Sequence, residues 1–196
     1  MSHPIKFLAF AGSARIESFN KKLINVAVEG ATSAGIDVTV LDLIDYPMPL
    51  FNEDLEAKDG LPDSVLRFKA LLKSHQGFLI ACPEYNGSIT PLLKNAIDWA
   101  SRPEPGEAPM ALSCFKGKVA ALLATSPGGL GGLRGLVHVR AILEGIGVFV
   151  IPDQKAISGA YQAFDDQGHL INEKQVKAVQ AIALKLADVT TKLSQS

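Results

Sequence analysis

The sequence has few cysteines, almost no net charge and no long apolar run. Its two cysteines, Cys82 and Cys114, form neither a CxxC motif nor a zinc-ligand spacing. We expect Cys82 to be a small core residue at the end of a strand and not half of a disulfide. The formal net charge of −1 gives no broad field that would attract nucleic acid or an anionic membrane. Partners are therefore expected at a local site.

Membrane-spanning and targeting segments are missing as well. The longest apolar stretches, such as 119–124 and 147–151, fall far short of the roughly 18 residues that a spanning helix needs. The chain starts Met-Ser-His-Pro and runs into an apolar segment with no basic region or cleavage site before it. These absences predict a cytoplasmic location. The four histidines do not have the spacing of metal ligands, so no metal is expected.

Apolar runs of strand length alternate with segments of helical period. Strands are predicted at 5–11, 37–43, 77–82, 118–124 and 147–151, and helices at 19–34, 63–74, 91–101, 130–144 and 173–193. This order is typical of an α/β fold, a doubly wound parallel sheet of five strands with helices on both faces, and we expect one domain over residues 1–196. The alternating second strand is expected near the sheet edge. Residues 44–61 and 102–116 are predicted to be loops.

In such sheets, ligands bind beyond the carboxyl ends of the strands, so the loops after the first, third and fourth strands are the candidates. The first loop is followed at once by a helix, whose N-terminus favours an anion. It is neither GxGxxG nor GxxxxGK[ST], which favours a terminal phosphate over a pyrophosphate. A capped helix start with polar surface residues stays open as an alternative. The side chains suited to a phosphate are Ser13, Arg15, Ser18 and Asn20.

The loop after the third strand reads PEYNGS, and the one after the fourth reads TSPGGLGG. Asn-Gly predicts a tight turn with positive φ, and Tyr85 could cover an aromatic ring. The glycines of the last loop would let a flat ligand approach the backbone. A plain connecting turn and a flexible loop remain the alternatives. Glu84 is interpreted as pairing with a neighbour or a backbone N–H, and Trp99 and Phe68 as packing residues.

Taken together, GSARIESFN, PEYNGS followed by PLLKNAIDWASR, and SPGGLGG resemble the NADPH-dependent FMN reductase family. That family includes quinone, azo-dye and chromate reductases, and the resemblance runs from about Ile5 to about Ile151. It implies a flavodoxin-like sheet of order 2-1-3-4-5 and FMN bound non-covalently, with the phosphate on the four polar residues of the first loop. The ring is then expected against Pro83, Glu84, Tyr85, Asn86 and Gly87, with Ser126 and the following glycines, Gly128 first, near its other edge.

The resemblance also implies an activity. NADPH or NADH would deliver a hydride to the flavin N5, and the electrons would pass to a small-molecule acceptor such as a quinone, an azo compound, chromate or a free flavin. No catalytic side chain is expected, because the flavin carries the chemistry. Family members are often homodimers or homotetramers. Two alternatives stay open: a flavodoxin-type electron carrier without a nicotinamide site, and a non-redox protein that binds a phospho-ligand. The segment after Ile151 has no assigned role.

Overall fold

A computed structural model describes residues 5–195. Its main sheet has five parallel strands in the order β2-β1-β3-β6-β7, and a separate two-stranded antiparallel hairpin is formed by β4 and β5. Counting only the strands of the main sheet, this is the predicted order 2-1-3-4-5. The strands are β1 Lys6–Ala11, β2 Asp37–Val40, β3 Gly77–Ala81, β4 Glu84–Tyr85, β5 Ser88–Ile89, β6 Val119–Thr125 and β7 Phe149–Ile157.

Helices cover both faces of the sheet, as predicted. Helices α1 and α7 pack with one face of the strands, and α3, α4 and α5 pack with the other. The pleat explains the division, because successive strand side chains point to opposite faces. Phe7 and Ala9 pack on the face covered by α1 and α7, whereas Leu8 and Phe10 pack on the face covered by α3, α4 and α5. The helices are α1 Phe19–Ser33, α2 Glu53–Asp59, α3 Asp63–Ser74, α4 Pro91–Ser101, α5 Leu133–Gly145, α6 Ala160–Ala163 and α7 Glu173–Ser194, with a 3-10 turn at Leu43–Asp45.

Two predicted segments were wrong in extent. The stretch 44–61 was predicted to be loop, but it contains α2, which has no buried residue and begins at the Asn52 cap. The last strand was expected to end at Ile151, before Pro152, but β7 continues to Ile157. A register shift in its pairing with β6 lets the chain pass the proline, which cannot donate to the ladder.

Smaller differences concern the ends of elements. The second strand ends at Val40 and not at residue 43, and α5 begins at Leu133, three residues later than predicted. The second strand does lie at the sheet edge, and β3 is buried throughout. Trp99 and Phe68 are buried packing residues, as interpreted. In the described part of the chain, no helix is both long and apolar enough to cross a membrane.

The carboxyl ends of β1, β3 and β6 lie side by side, and this brings the three candidate loops together. Ala11 is paired with Ala81. The Gly12 N–H donates to the Ala81 carbonyl at 2.9 Å, and the Cys82 N–H donates to the Leu123 carbonyl at 2.8 Å. The Thr90 hydroxyl caps α4 by accepting from the Leu93 N–H at 3.2 Å, and it donates to the Gly12 carbonyl at 2.6 Å. The loops therefore start from one rigid edge.

Candidate functional site

The first loop leads into the 15-residue helix α1, whose N-terminus lies at the carboxyl ends of the central strands. Ser18 is the N-cap residue of α1, with extended backbone angles, yet its side chain makes no capping hydrogen bond. The first turn of α1 also contains no acidic residue. The first N–H groups of a helix have no partner within it and carry the positive end of its dipole. An anion at this position would therefore be stabilised.

Two further polar side chains lie in the same loop. Ser13 is buried, and its hydroxyl accepts from the Arg15 N–H at 3.3 Å. The Arg15 guanidinium donates to the Glu17 carbonyl and lies 6.0 Å from the centroid of the Phe19 ring. Phe19 is the first residue of α1, so the cation lies beside the helix start. The loop thus combines a permanent positive charge with the helix N-terminus.

Asn20 has a contact that the sequence did not indicate. Its side-chain amide donates to the Thr125 carbonyl at 2.9 Å, and its amide oxygen accepts from the Thr125 N–H at 3.0 Å. Both groups are buried, and the two residues are 105 positions apart. Asn20 therefore joins the start of α1 to the end of β6. Its amide nitrogen carries a second N–H, so a role as a phosphate donor stays a prediction.

The loop after β3 is a tight hairpin. Asn86 and Gly87 have φ values of 52° and 82°, and they connect β4 to β5 as a two-residue loop. Positive φ at both central residues is the pattern of a type I′ turn, for which Asn-Gly is the preferred pair. The predicted turn with positive φ is confirmed. Tyr85 projects from this hairpin with 54% of its surface exposed.

The Glu84 carboxylate anchors the hairpin to α5. It accepts from the backbone N–H groups of Arg134 and Gly135 at 3.0 and 3.3 Å, and from the Arg134 Nε at 2.7 Å. Since α5 begins at Leu133 without a side-chain cap of its own, Glu84 caps it from another part of the chain. On the neighbouring strand, the Ser88 hydroxyl lies 2.9 Å from the His138 Nδ1. The hairpin is thus held at two points of one helix.

The environment of Glu84 keeps it ionised. Burial alone would raise the pKa of this carboxyl, but the hydrogen bonds from Arg134 and from the Gly135 N–H outweigh burial, so the pKa lies below its ordinary value. The interpretation that Glu84 pairs with a neighbour or a backbone N–H is confirmed, because it accepts hydrogen bonds from the Arg134 side chain and from two backbone N–H groups. Burial, with the Glu84 charge as a second cause, raises the pKa of the neighbouring Cys82 thiol to about 12. Cys82 is therefore a neutral core residue.

The glycine-rich loop divides into two parts. Gly131 and Gly132 have φ values of 61° and 90°, and a Cβ on them would lie 2.6 Å from the Ile157 carbonyl carbon and 2.9 Å from the Ala124 Cβ. These two glycines are required by the protein's own packing. By contrast, a Cβ on Gly128 would meet only the Ser126 hydroxyl, at 3.7 Å, and one on Gly129 would meet nothing within 4 Å. Only the first part of the loop offers open backbone to a ligand.

The three loops border an open cleft with a cavity volume of about 130 Å³. Eight of the predicted site residues line it: Ser13, Arg15, Ser18, Asn20, Pro83, Glu84, Tyr85 and Ser126. Asn86, Gly87 and Gly128 are in the same loops but are not among the lining residues. Four lining residues were not predicted: Phe19, Thr125, Pro127 and Tyr161. The first three adjoin predicted residues, whereas Tyr161 comes from the segment that had no assigned role.

Among residues 5–195, no group of three or more histidine, cysteine or acidic side chains could hold a metal ion. His3 lies outside the described residues. Cys82 and Cys114 are both free and buried. The cleft is bordered by the uncapped N-terminus of α1 and by the hairpin that carries the exposed Tyr85.

A doubly wound sheet of this order, with a ligand cleft at the carboxyl ends of its central strands, defines a flavodoxin-like α/β protein. Comparison with known families gives a more specific result. The model of the NADPH-dependent FMN reductase family matches residues 5–162, and the chain belongs to this family. The family and the fold expected from the sequence are confirmed. An enzyme of this family uses FMN as its cofactor and NADPH or NADH as the reductant.

Individual relatives agree over nearly the whole chain. An NAD(P)H-dependent FMN reductase of Pseudomonas aeruginosa is 39% identical over 92% of this chain and 92% of its own length. A quinone reductase of Pseudomonas putida is 34% identical over 95% of each chain. Among solved structures, the flavoenzyme FerB of Paracoccus denitrificans, an NAD(P)H:(acceptor) oxidoreductase, superposes with a TM-score of 0.80. It is 30% identical over 96% of this chain and 98% of that one.

Proposed function

We propose that the chain works as one FMN-binding unit over residues 1–196 and reduces a small-molecule acceptor with electrons from NADPH or NADH. The observation that carries the proposal is the uncapped N-terminus of α1, which opens into the cleft shared by the three loops. A flavin with a terminal phosphate combines the two chemistries that the cleft offers, an anion at one end and a flat aromatic ring at the other. The P. aeruginosa and P. putida relatives support the reaction type.

The donor set at the anion end fits a phosphate. The α1 N–H groups, the Ser13 and Ser18 hydroxyls and the Arg15 guanidinium are all donors, and the last is a permanent cation. A phosphate monoester has three strongly accepting oxygens and a charge near −2 at neutral pH, so several donors can bind it at once. We assign the FMN phosphate to this end, with the second N–H of Asn20 as a further donor.

The other end of the cleft fits the ring. We assign the ring to the hairpin residues from Pro83 to Gly87, with Ser126 and Gly128 on the opposite side. Because Glu84 and Ser88 fix the hairpin to α5, the backbone groups of the turn are held in place before any ligand arrives. A site that is ordered in advance loses less entropy on binding. Only Gly128 and Gly129 leave open space in the glycine-rich loop, so a flat group can approach there.

When bound, FMN supplies the hydride and electron chemistry of the reaction. The protein's residues bind and orient it. Glu84 is ionised and its oxygens accept three hydrogen bonds, so it holds the hairpin and does not donate a proton. Tyr85 presents an exposed aromatic surface beside the ring end, where a planar acceptor or a nicotinamide can pack. The residues thus position two planar groups, and no side-chain acid or nucleophile is required.

The test is the visible absorption spectrum of the purified protein, recorded before and after anaerobic addition of NADPH. We expect a flavin spectrum, either as purified or after incubation with FMN, that is bleached by NADPH and restored by a quinone. A flavin spectrum that NADPH leaves unchanged would favour the electron-carrier alternative. A colourless protein that takes up no FMN would contradict the proposal and favour the non-redox binder.

The acceptor, the assembly and the location are further parts of the proposal. Relatives from Oryza sativa and Solanum tuberosum are named quinone oxidoreductases, so we propose a quinone as the acceptor class. We propose a homodimer or homotetramer, since β7 lies at a sheet edge and borders an apolar groove that includes Val148, Phe149, Pro152 and Val189. Light scattering after size-exclusion chromatography measures the assembly, and a monomeric mass would contradict it. A cytoplasmic location remains a prediction from the sequence.

A further inference from the structure

A tyrosine from the chain after β7 faces the cleft. Tyr161 lies in α6, next to the fully buried Ala160, and 68% of its own surface is exposed. It lines the same cleft as Ser13, Arg15 and Ser18. Single exposed apolar side chains are common on protein surfaces and need no explanation. The position of Tyr161 is different because its backbone and its ring are both held against the loops of the site.

The backbone around Tyr161 is tied to the glycine-rich loop. Gly159 turns the chain with a φ of 61°, and the Ala160 N–H then donates to the Ser126 carbonyl at 3.1 Å. In return, the Ser126 N–H donates to the Ile157 carbonyl at 3.2 Å. Gly131 packs so closely on Ile157 that a Cβ would not fit between them. These contacts fix the segment that carries Tyr161 relative to the fourth loop.

The ring of Tyr161 lies at the anion end of the cleft. It packs edge-on against Phe19, with 5.4 Å between the ring centroids and an interplanar angle of 88°. The Arg15 guanidinium lies 6.0 Å from the centroid of the same Phe19 ring. Phe19 also stacks with the buried Phe164, with 5.6 Å between the ring centroids. Phe19 is thus a shared support for Arg15 and Tyr161, which brings both side chains beside the start of α1.

We propose that Tyr161 is a further flavin-binding residue, whose hydroxyl donates a hydrogen bond to the FMN phosphate and whose ring closes that end of the cleft. The inference rests on the proposed function, because it assigns the phosphate to the α1 N-terminus. A phenol combines a flat ring, which can pack beside a ligand, with a hydroxyl donor suited to an anion. The segment after β7 therefore completes a site whose other residues all come from the first, third and fourth loops.

The test compares the affinities of FMN and riboflavin, which differ by the phosphate, in titrations followed by flavin fluorescence. Because a hydrogen bond to a charged acceptor is worth about tenfold or more in affinity, Tyr161→Phe is expected to weaken FMN binding by at least about tenfold. Riboflavin binding should change by less than about twofold. The matched control is Tyr46→Phe, since Tyr46 packs on Phe68 and Arg67 outside the cleft. The control should leave both affinities unchanged.

Each outcome is decisive. Unchanged FMN affinity in Tyr161→Phe would overturn the inference. An equal loss for FMN and riboflavin would also overturn it, because the hydroxyl would then not act on the phosphate. If the wild-type protein binds neither flavin, the proposed function itself fails, and this result is visible before any variant is made. The substitution keeps the ring of an exposed side chain, so the fold is expected to be retained, which a thermal melt checks.

Discussion

Replacing Glu84 should destabilise the protein through the helix that it caps. Glu84→Ala leaves the Arg134 and Gly135 N–H groups at the start of α5 without their acceptor. Loss of a side-chain cap costs about 1–2 kcal/mol. The ion pair with Arg134 adds at most about 0.5 kcal/mol, because the arginine side chain is 63% exposed and solvent screens it. We expect a loss of about 2 kcal/mol in the free energy of unfolding, and about 1 kcal/mol for Glu84→Gln, which keeps one acceptor oxygen.

The loss of stability should depend on pH in a defined direction. The pKa of Glu84 is lowered in the folded protein, so its stabilising effect is complete above the ordinary carboxyl pKa of about 4.3. The effect is lost as the pH falls from there through the folded-state pKa. The difference in stability between the wild type and Glu84→Gln should therefore be constant near pH 7 and shrink below about pH 4.

Urea denaturation of the flavin-free protein, followed by circular dichroism, measures these differences. The control is Glu17→Ala, which removes an exposed glutamate whose partner is Lys22 and should cost less than about 0.5 kcal/mol. The reasoning is refuted if Glu84→Ala is as stable as the control at pH 7. It is also refuted if the effect of Glu84→Gln grows on acidification.

Further predictions concern the loops and the core. Gly132→Ala should destabilise by about 1–3 kcal/mol, because it places a Cβ at a φ of 90° and 2.9 Å from another Cβ, whereas Gly129→Ala, with open space, should cost less than about 0.5 kcal/mol in the same urea assay. Asn20→Ala should cost about 2–3 kcal/mol, since it leaves both buried main-chain groups of Thr125 without partners; a loss below 1 kcal/mol would contradict this. Cys82, buried and with a pKa of about 12, should react with a thiol reagent at pH 8 only after unfolding, and rapid labelling of the native protein would refute its assignment to the core.

Much of the framework follows from local patterns. The buried strand β3 and the helices α3 and α4 are evident from uninterrupted apolar runs and helical spacing, and α4 is marked by the Thr90 cap and the proline after it. Helix α2 gave no such signal. It buries no side chain, and it is held by the Asn52 cap and by an ion pair between Glu56 and Arg102, residues 46 positions apart.

The site was predicted less completely than the fold, for a related reason. The first loop and the Asn-Gly turn are short motifs that the sequence displays directly, and eight of the named residues line the cleft. Two contacts could not be anticipated: Glu84 with Arg134, and Asn20 with Thr125, which are 50 and 105 positions apart. No fixed spacing in the sequence indicates either pairing. They follow only from the sheet order, which brings the loop ends together.

The central claim is that the first loop binds the FMN phosphate, and the most direct test is the affinity of the Arg15→Ala variant for FMN. Fluorescence titration compares this variant with the wild-type protein and with Arg67→Ala. Arg67 is an exposed arginine packed on Tyr46, outside the cleft, so it controls for loss of surface charge. If the phosphate is held where β1 meets α1, Arg15→Ala removes a charge-assisted contact of about 1.5–3 kcal/mol and weakens binding by about 10- to 150-fold. An affinity equal to that of Arg67→Ala would contradict the assignment of the phosphate to this loop.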